Sequence, residues 1–485
     1  MSQGVNKEAT VSISRHLAAG LSVGDLAAAL KDILDPMGGI GSFLRGHKSV
    51  LIKPNLTAGA PCESGGTTSV VLVEALVQLV LDEGVARVAI GEGAGAECCT
   101  DWAYDRLGYT EMAQRLGVEL LDLDRYGYTV VPVREALWKS EIMVSRAVME
   151  YESYITVPYL KTHPGCGITV AIKNAFGTLP DRVKAEAHRE DKVEEVIVDL
   201  LSIRPPDLIV VDGLIGSQGI GGGSDFVHPV GCGLLICGAN AVAVDRVCCE
   251  IMSQNSRVRH LQWADKKGLG PAGLERIMVK GETIDNARVP FLSPADQLEM
   301  DIDRLRIEDS QACTGCRNAV AMSFLRLSAK GLSSPITAVC GPFDLNLLED
   351  NDRTVICIGD CACKQAGEDK GSIKVPGCPV TARDFMGMLH SSRFLCKECE
   401  ERVREALKKA PTFPGRILTC GRIISDSEGS VSSVLVGDCM EGYYQMNANR
   451  SAKSSKLGTG LARDAALVKG CPPTIEAILE TMNQA

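Results

Sequence analysis

Between about residues 48 and 255, the chain alternates short apolar runs with longer amphipathic runs. Five apolar runs end in Gly, Pro or polar residues, as buried parallel strands do; they are SVLIKPNL, ARVAIGEG, SYITVPYL, DLIVVDGL and GLLICGA. Two longer runs predict helices: SVVLVEALVQLVLDEG, in which the helix begins after the good N-cap residues Thr67-Thr68-Ser69 and ends at Gly84, and AVAVDRVCCEIM. Strands that alternate with helices predict an α/β fold, here a layered domain with a mostly parallel sheet.

The C-terminal part of the chain repeats one series of landmarks. Each copy begins with Cys-x-x-Cys and a helical stretch, continues with apolar runs ending in Cys-Gly and Gly-Asp-Cys, and closes with Gly-Cys-Pro before a final helix. Five landmarks in one order indicate an internal duplication of about 80 to 90 residues. We therefore predict a first domain over residues 1–308, whose polar end from about 256 is a connector, and two α/β repeats over 309–392 and 393–485.

Each copy contains four cysteines that follow apolar runs or open a helix, where loops at one edge of a sheet would gather them. Four thiolates are the ligand number of a 4Fe–4S cluster, and zinc takes the same number. We predict two 4Fe–4S clusters, because one Cys-x-x-Cys and two single cysteines fit the paired knuckles of zinc ribbons poorly. The predicted ligands are Cys313, Cys316, Cys361 and Cys378 in the first copy and Cys396, Cys399, Cys439 and Cys471 in the second. Alternative ligands, or buried free cysteines, are Cys340, Cys357, Cys363 and Cys420.

The segments GDCACKQAG, VPGCPV and VKGCPPT resemble the cluster motif of the small subunit of nickel–iron hydrogenases. The resemblance implies a cluster held by Cys-x-x-Cys, a later Gly-x-Cys and a final Gly-Cys-Pro on a flavodoxin-like scaffold. The spacing between Cys-x-x-Cys and Gly-Asp-Cys is shorter in this chain, which implies a reduced scaffold. The resemblance covers these motifs and does not imply a nickel–iron large subunit as partner.

Polar side chains cluster at three predicted strand ends of the first domain, where ligands bind in open α/β sheets. Lysine supplies a compact positive charge, so the cluster predicts an anionic ligand, a carboxylate or a phosphate. The predicted catalytic residues are His163 as acid or base, with Lys161 and Lys173. The predicted substrate-binding residues are Lys53, Asn55, Thr162, Asn174 and Asp212. His188 and His228 are weaker candidates for which a structural role is equally good.

Five segments in this domain resemble the family called domain of unknown function 362. They are IKPNL, GEGAG, LKTHPGCGITVAIKNAFG, VVDGLIGSQGIGGG and AVAVD, which ends at Asp245. The resemblance covers about residues 48 to 255 and implies an iron–sulfur module, which members often contain, but it implies no particular chemistry. Gln218 stands before the glycine run, where the resemblance leads us to expect an acidic residue.

Composition narrows the classes of function. The 485 residues carry a net charge of −10, which argues against a general nucleic-acid or anionic-membrane surface. No apolar run has the length that spans a bilayer, and the N-terminus lacks the apolar core of a signal peptide, so we predict a cytoplasmic protein. In a reducing cytosol, 20 cysteines indicate metal binding or redox chemistry rather than disulfides.

These observations predict an anaerobic iron–sulfur oxidoreductase or electron-transfer protein, in which two clusters serve the Lys/His site. Its predicted partners are an anionic small molecule and a redox protein, such as a ferredoxin or a larger enzyme complex. One alternative is an assembly or electron-delivery factor without substrate chemistry of its own. Another is a non-redox isomerase or transferase that uses the Lys/His pocket.

Overall fold

The structure is a computed structural model in which the chain divides into two compact units, Met1–Ser293 and Pro294–Ala485. It describes residues 9–15, 20–56, 59–94, 99–221, 228–254, 258–309, 311–325, 332, 334–350, 352–368, 371–381, 385 and 405, together with the backbone of four later strands. We describe each unit by itself, and the predicted domain boundaries stay predictions.

The first unit contains twelve strands and twelve α-helices among its described residues. The strands are β1 (Ala9–Arg15), β2 (Ser49–Lys53), β3 (Arg87–Glu92), β4 (Glu119–Asp122), β5 (Tyr128–Pro132), β6 (Glu141–Ser145), β7 (Ser153–Thr156), β8 (Tyr159–His163), β9 (Gly167–Thr169), β10 (Leu208–Gln218), β11 (His228–Gly238) and β12 (Ile277–Gly281). The helices are α1 (Val23–Leu34), α2 (Gly39–Leu44), α3 (Val70–Asp82), α4 (Thr100–Arg106), α5 (Tyr109–Leu116), α6 (Arg146–Glu150), α7 (Ala171–Asn174), α8 (Asp181–Arg189), α9 (Val193–Ile203), α10 (Ala241–Met252), α11 (Arg259–Lys266) and α12 (Ile284–Ala287).

Ten of these strands form one sheet in the order β12-β1-β11-β10-β7-β2-β3-β4, with β8 pairing to β10 and β9 pairing to β8. Most neighbours are parallel, which confirms the predicted α/β class with a mostly parallel sheet. The run GLLICGA was predicted as a parallel strand, and this prediction is wrong, because β11 lies antiparallel to both β10 and β1. Residues 219–227 join β10 to β11, and so short a connection has no room for the crossover that parallel neighbours need.

The sheet separates two hydrophobic clusters, because successive side chains of a strand point to opposite faces. Along β2, Val50 and Ile52 belong to the cluster that includes α1, α3 and α5, whereas Leu51 belongs to the cluster that includes α9, α10 and α11. All three side chains are fully buried. The first unit is therefore a layered α/β structure with helices on both faces of its sheet.

The two predicted helices have the predicted bounds. Helix α3 begins after Ser69 and ends before Gly84, whose φ of 75° suits glycine, and α10 coincides with AVAVDRVCCEIM. The sequence pattern missed β1, and it missed the edge strand β12 inside the predicted connector.

The described residues of the second unit form two four-stranded sheets. Its elements are α13 (Pro294–Asp301), β13 (Leu305–Glu308), α14 (Thr314–Phe324), β14 (Ile336–Cys340), β15 (Thr354–Ile358), α15 (Asp360–Ala366), β16 (Ile373–Val375), β17 (Arg416–Thr419), β18 (Arg422–Ser425), β19 (Ser432–Val436) and β20 (Asp464–Val468). Strands β13-β14-β15-β16 are all parallel, whereas in β18-β17-β19-β20 the edge strand β18 is antiparallel. The flavodoxin-like character of the two repeats stays a prediction. In the part of the chain that the structure describes, no helix is both long enough and apolar enough to cross a bilayer.

Candidate functional site

Adjacent strands β2 and β3 end in Lys53 and Glu92, so their side chains meet at the carboxyl edge of the sheet. The Lys53 ammonium forms an ion pair with the Glu92 carboxylate and donates a hydrogen bond of 3.2 Å to Asn174 Oδ1. The Asn174 amide in turn donates to Thr156 Oγ1, 2.8 Å away. Lys53 is 0 % exposed, and burial lowers its pKa while Glu92 opposes that shift. Lys53 and Asn174 thus lie together in a closed and internally paired network, and their predicted contact with a substrate stays a prediction.

Asp245, the last residue of the AVAVD segment, holds the short helix α7 in place. It is 0 % exposed, and its two carboxylate oxygens accept hydrogen bonds from the backbone N–H groups of Ala171 (2.8 Å) and Ile172 (3.0 Å). These N–H groups belong to the first turn of α7, where a helix lacks internal acceptors. Helix α7 carries Lys173 and Asn174, so Asp245 positions both residues from α10.

Two further lysines lack the carboxylate partner that Lys53 has. Among the described residues, the ammonium groups of Lys161 and Lys173 form no hydrogen bond and no ion pair. The Lys161 nitrogen lies 5.9 Å from the ring centre of Tyr159, and the Lys173 nitrogen lies 4.1 Å from that of Phe176. Burial, helped by repulsion from Lys173, lowers the pKa of Lys161 to about 7, and burial also lowers the pKa of Lys173.

His163 is the last residue of β8, and its hydrogen bonds determine the tautomer of its ring. Its Nδ1 accepts hydrogen bonds from the backbone N–H groups of Gly165 and Cys166, both at 3.1 Å. This hydrogen-bond network assigns the proton of the neutral ring to Nε2. Burial, followed by the charges of Lys173 and Lys161, lowers the pKa of His163 well below its usual value. The imidazole is therefore neutral and offers an N–H donor, and its predicted role in proton transfer stays a prediction.

The polar side-chain atoms of Thr162 and Asp212 form hydrogen bonds with backbone groups. Thr162 Oγ1 donates to the carbonyl oxygen of Gly219 at 2.6 Å, which ties β8 to the glycine loop after β10. Asp212 accepts hydrogen bonds from the N–H groups of Ser69 (2.8 Å) and Leu214 (3.1 Å), and burial raises its pKa to about 6. Both residues shape the loops of the site, and their predicted contact with a substrate stays a prediction.

Asn55 belongs to the same loop region. Its backbone N–H donates to Thr68 Oγ1 at 3.0 Å, just before the start of α3. Gln218, where an acidic residue was expected, accepts a hydrogen bond of 2.9 Å from the N–H of Leu292 through its amide oxygen. His228 is exposed opposite Gln218 on β11. These contacts are structural and leave the lysine groups as the chemically distinctive part of the site.

Sequence reasoning missed Glu92, Asp124 and Lys184. The Lys184 ammonium donates a hydrogen bond of 3.2 Å to Asp181 and lies 3.6 Å from Asp124, so it has carboxylate partners of its own, like Lys53. Glu92 lies within the quoted GEGAG segment, and the signal was a charged residue at the end of a buried strand. Gly177 packs against the Lys53–Glu92 pair, and a Cβ atom there would lie 2.9 Å from the Lys53 nitrogen, so a larger residue would displace the lysine.

A groove of about 480 Å³ lies apart from these strand ends, between the β5–β6 hairpin and α8. Its lining includes Trp138, Lys139, Arg182 and Arg189. None of the predicted site residues lines it, so we place the candidate site at the strand-end lysines on the basis of their chemistry.

In the second unit, the first set of predicted cysteine ligands gathers after parallel strands. Cys313 precedes α14 and Cys316 lies in its first turn, after β13, while Cys361 follows β15 at the start of α15 and Cys378 follows β16. The carboxyl ends of neighbouring parallel strands lie at one edge of a sheet. The predicted gathering of these loops therefore agrees with the strand order β13-β14-β15-β16.

Gly359 lies between two of these thiols. A Cβ atom at this glycine would be 2.9 Å from Cys316 Sγ and 3.8 Å from Cys361 Sγ, and its φ of 91° also favours glycine. The loop of Cys378 is tied to the same place, because Gly377 donates its N–H to the Asp360 carboxylate at 2.8 Å. The three segments that carry the four predicted ligands therefore lie close together around Gly359 and Asp360.

The described residues contain no group of three or more His, Cys, Asp or Glu side chains close enough to hold a single metal ion. The ligands of a four-iron cluster bind four different iron atoms and are spread wider than those of one ion. A set of thiols around a glycine backbone fits a cluster in its chemistry. Cys363 faces away from this set, since its thiol donates to the carbonyl oxygen of Cys357 at 3.3 Å.

The second predicted set, with Cys396, Cys399, Cys439 and Cys471, lies outside the described residues, as does Cys420. The strands before it nevertheless repeat the first arrangement. Cys439 follows the end of β19 by as many residues as Cys361 follows the end of β15, and Cys471 follows β20 as Cys378 follows β16. Strands β17, β19 and β20 are parallel neighbours, as β14, β15 and β16 are.

Comparison with known proteins agrees with the resemblance found in the first unit. Residues 50–250 match the family model described as Domain of unknown function (DUF362). The chain is 26% identical over 296 residues to the thylakoid-associated protein sll1697 of Synechocystis sp., covering 59% of this chain and 90% of that protein. The cytoplasmic location and the resemblance to hydrogenase subunits stay predictions.

Two solved structures are similar at low identity. One is the lactate racemase apoprotein of Thermoanaerobacterium thermosaccharolyticum, with a TM-score of 0.35 at 9% identity, covering 77% of this chain and 89% of that one. The other is a protein from Thermotoga maritima, with a TM-score of 0.35 at 11% identity, covering 86% of this chain and 89% of that one.

Proposed function

We propose that the chain is an iron–sulfur electron-transfer protein or oxidoreductase with two 4Fe–4S clusters in its second unit and an anion-binding Lys/His site in its first. The observation that carries the proposal is the meeting of Cys316, Cys361 and the Cys378 loop around the backbone of Gly359. A side chain in place of this glycine would occupy the space beside the two sulfur atoms. The same strand-to-cysteine spacing in the second repeat supports a second cluster.

The first cluster would be held by Cys313, Cys316, Cys361 and Cys378, and the second by Cys396, Cys399, Cys439 and Cys471. A cluster of this type supplies one-electron chemistry at a potential that nearby hydrogen bonds and solvent exposure tune. Cys361 and Cys378 are exposed, which supports electron exchange with a redox partner such as a ferredoxin or a larger enzyme complex. Asp360 holds the two cysteine loops together through the backbone of Gly377.

The first unit would bind the anion. Lys161 and Lys173 lack a carboxylate partner among the residues described, and a bound carboxylate or phosphate would supply it. The Nε2–H of His163 would donate a further hydrogen bond to this ligand. Lys53 serves the site differently, because Glu92 already neutralises it. Its role is to fix Asn174, and through it the helix that carries Lys173.

The test is the iron and acid-labile sulfide content of protein purified without oxygen, with EPR spectra before and after reduction by dithionite. We expect about eight irons and eight sulfides per chain, with the signals of two interacting reduced clusters. Zinc at four thiolates, with no iron and no EPR signal, would overturn the proposal.

The anion site has a separate test, which also weighs the assembly-factor and non-redox alternatives. Lys161→Gln should abolish substrate turnover while iron content stays at the wild-type value. Loss of partner binding alone would favour a factor without substrate chemistry. Activity that survives oxidation of the clusters would favour an isomerase or transferase.

A further inference from the structure

Four lysines of the first unit, two on strands and two on helices α7 and α8, fall into two kinds. Lys53 is paired with Glu92, and Lys184 with Asp181 and Asp124. Lys161 is only 7% exposed and has no such partner in the described part of the chain. Lys173 is half-buried and also has no carboxylate partner there. Two ammonium groups that share a desolvated site without an anion are unfavourable. The free-energy cost is removed if one amine is neutral and the ammonium of the other binds an anion.

The surroundings distinguish the two amines. The Lys173 nitrogen rests on the face of Phe176, a contact that stabilises the charged form of an amine. Lys161 lies farther from the ring of Tyr159, and its pKa of about 7 leaves much of it neutral near neutral pH. The positive charge of Lys173 contributes to the low pKa of Lys161. His163, two residues further along β8, is neutral. Lys161 is therefore suited to act as a nucleophile, and Lys173 as an anchor for a carboxylate.

We propose that Lys161 forms a Schiff base with a 2-oxo acid, whose carboxylate binds Lys173 and whose carbonyl oxygen accepts a hydrogen bond from the His163 Nε2–H. A 2-oxo acid is the ligand class that combines one negative charge with an adjacent electrophilic carbon. The proposal rests on the anion site proposed above but not on the iron–sulfur clusters.

The chemical step needs no oxidant or reductant. The lone pair of the neutral Lys161 amine attacks the carbonyl carbon, so that a C–N bond forms and the electrons of the C=O π bond move to oxygen. A proton passes from nitrogen to that oxygen and gives a neutral carbinolamine. A second proton, from solvent, lets the hydroxyl group leave as water, and the C=N bond of the iminium forms. The hydrogen bond from His163 stabilises the negative charge that develops on oxygen.

The backbone keeps the Lys161 side chain in place. A Cβ atom at Gly221 would lie 2.9 Å from the carbonyl oxygen of Thr162 and 3.3 Å from Lys161 Cε, and the φ of Gly221 is 46°. The glycine therefore lets the loop approach the lysine stem directly. Thr162 is fixed to Gly219 by its hydroxyl group, so the same glycine loop contacts both the Lys161 side chain and the strand that carries it.

The experiment traps the iminium. Full-length protein purified without oxygen is incubated with pyruvate, reduced with sodium borohydride, digested and mapped by mass spectrometry. We expect the N-carboxyethyl adduct of pyruvate on Lys161 and its loss in Lys161→Arg. Lys139, a surface lysine paired with Glu186 at 2.7 Å, reports nonspecific reduction in the same digest. Adduct on Lys139 at the same yield as on Lys161 would overturn the proposal.

The pH dependence separates a nucleophile from a merely structural lysine. Trapping in the wild type should rise through about pH 7, as the Lys161 amine loses its proton. In Lys173→Gln the repulsion is gone, so the midpoint should move to higher pH and the pyruvate concentration at half-maximal trapping should rise. A midpoint that stays fixed in this variant would count against the pairing of the two lysines.

A protection experiment distinguishes the failure of this proposal from the failure of the anion site. Lys161 is acylated with acetic anhydride in the presence of pyruvate, lactate or inorganic phosphate. Protection by pyruvate without any trapped adduct would overturn the Schiff base and leave the anion site standing. Protection by phosphate alone would overturn the 2-oxo acid as ligand, and no protection by any of the three would overturn both proposals.

Discussion

Both units place their reactive side chains directly after parallel strands, but they leave these side chains in opposite states. In the first unit, Lys53 is buried and its charge is neutralised by the carboxylate of Glu92. In the second, Cys361 and Cys378 are exposed thiols. The first network is complete as folded, whereas the cluster that we propose would complete the second. We expect the folding of the second unit, and not of the first, to depend on its cofactor.

The largest effect should come from removing one cluster ligand. Cys361→Ser should lose about four of about eight irons per chain, because one of two clusters loses a thiolate. Residues 294–392 should then become sensitive to protease while the first unit stays resistant. Iron analysis and limited proteolysis with mass spectrometry measure both effects.

Cys363→Ser is the matched control for this prediction. Its thiol lies two positions further along α15 and donates to the backbone of Cys357, so this variant should keep all its iron. Equal iron loss in the two variants would contradict the assignment of Cys361 as the ligand. It would indicate that both substitutions lose iron by disturbing α15.

The second largest effect should separate the two kinds of lysine in the first unit. Lys53→Met leaves the buried Glu92 carboxylate without its ion-pair partner and, among the described residues, with only the hydrogen bond from the Leu56 N–H, which should cost about 3–5 kcal/mol of unfolding free energy. Lys161→Met removes an ammonium that has no partner in the described structure, so stability should change by less than about 1 kcal/mol or increase. The three tryptophans, Trp102, Trp138 and Trp263, all lie in the first unit, so their fluorescence in urea reports its unfolding alone. Equal losses in the two variants would contradict the distinction between paired and unpaired lysines.

The sequence pattern predicted the parts of the fold whose signal is local. Helices α3 and α10 have strong apolar periodicity and end at cap residues, and strands β2, β3 and β10 are continuous apolar runs. The direction of β11 was missed, because it depends on the short connection to β10 and not on its own residues. Edge strand β12 was missed because only one of its side chains, Ile277, is buried.

The candidate site shows the same limit. Strand-end lysines and the cysteine order could be found from residue types and spacing alone. That Lys53 is neutralised by Glu92 while Lys161 is not could not be found, because the answer depends on which strands are neighbours in the sheet. Likewise, Asp245 was noted only as part of a motif, and its contact with the start of α7 joins residues far apart in the chain.

A third prediction uses pH to examine the buried charges of the first unit. Burial raises the pKa of Asp245 to about 7, above an unfolded value of about 3.9. The folded state then binds more protons at this carboxyl between these values, so the contribution of Asp245 to stability should fall as pH rises from about 4 to 7. Burial lowers the pKa of His163 and His188, so their contributions rise with pH below about 6.5. The pKa of Lys161 is lowered to about 7 from about 10.4, so the folded state binds fewer protons at this amine above pH 7 and its contribution should rise.

Variants isolate these contributions as differences from the wild-type pH dependence. Between pH 5 and 7, the stability of Asp245→Asn should rise more steeply with pH, or fall less steeply, than that of the wild type, because the falling carboxyl contribution is gone. Asp212, with a pKa raised to about 6, contributes in the same direction as Asp245 and is unchanged in this variant. Between pH 7 and 9, Lys161→Met should lose the rise that the amine contributes. Urea unfolding followed by tryptophan fluorescence at pH 5, 7 and 9 measures these slopes. The same slope from pH 5 to 7 in Asp245→Asn and the wild type would contradict the carboxyl contribution.

The smallest effect concerns the aromatic ring under Lys173. Phe176→Leu keeps an apolar side chain but removes the ring face that lies 4.1 Å from the ammonium. A partly buried cation–π contact is worth about 0.5–1 kcal/mol, so lactate, an anion that cannot form a Schiff base, should bind about 2- to 5-fold more weakly. The charge of Lys173 is still present in this variant, which is why the loss stays small.

Trp138→Leu is the matched control, because it removes the ring that lies 4.3 Å from the ammonium of Lys139, outside the strand-end site. Isothermal titration calorimetry should show weaker binding in the first variant and unchanged binding in the second; the same loss in both would mean that the ring contact does not act on the anion site.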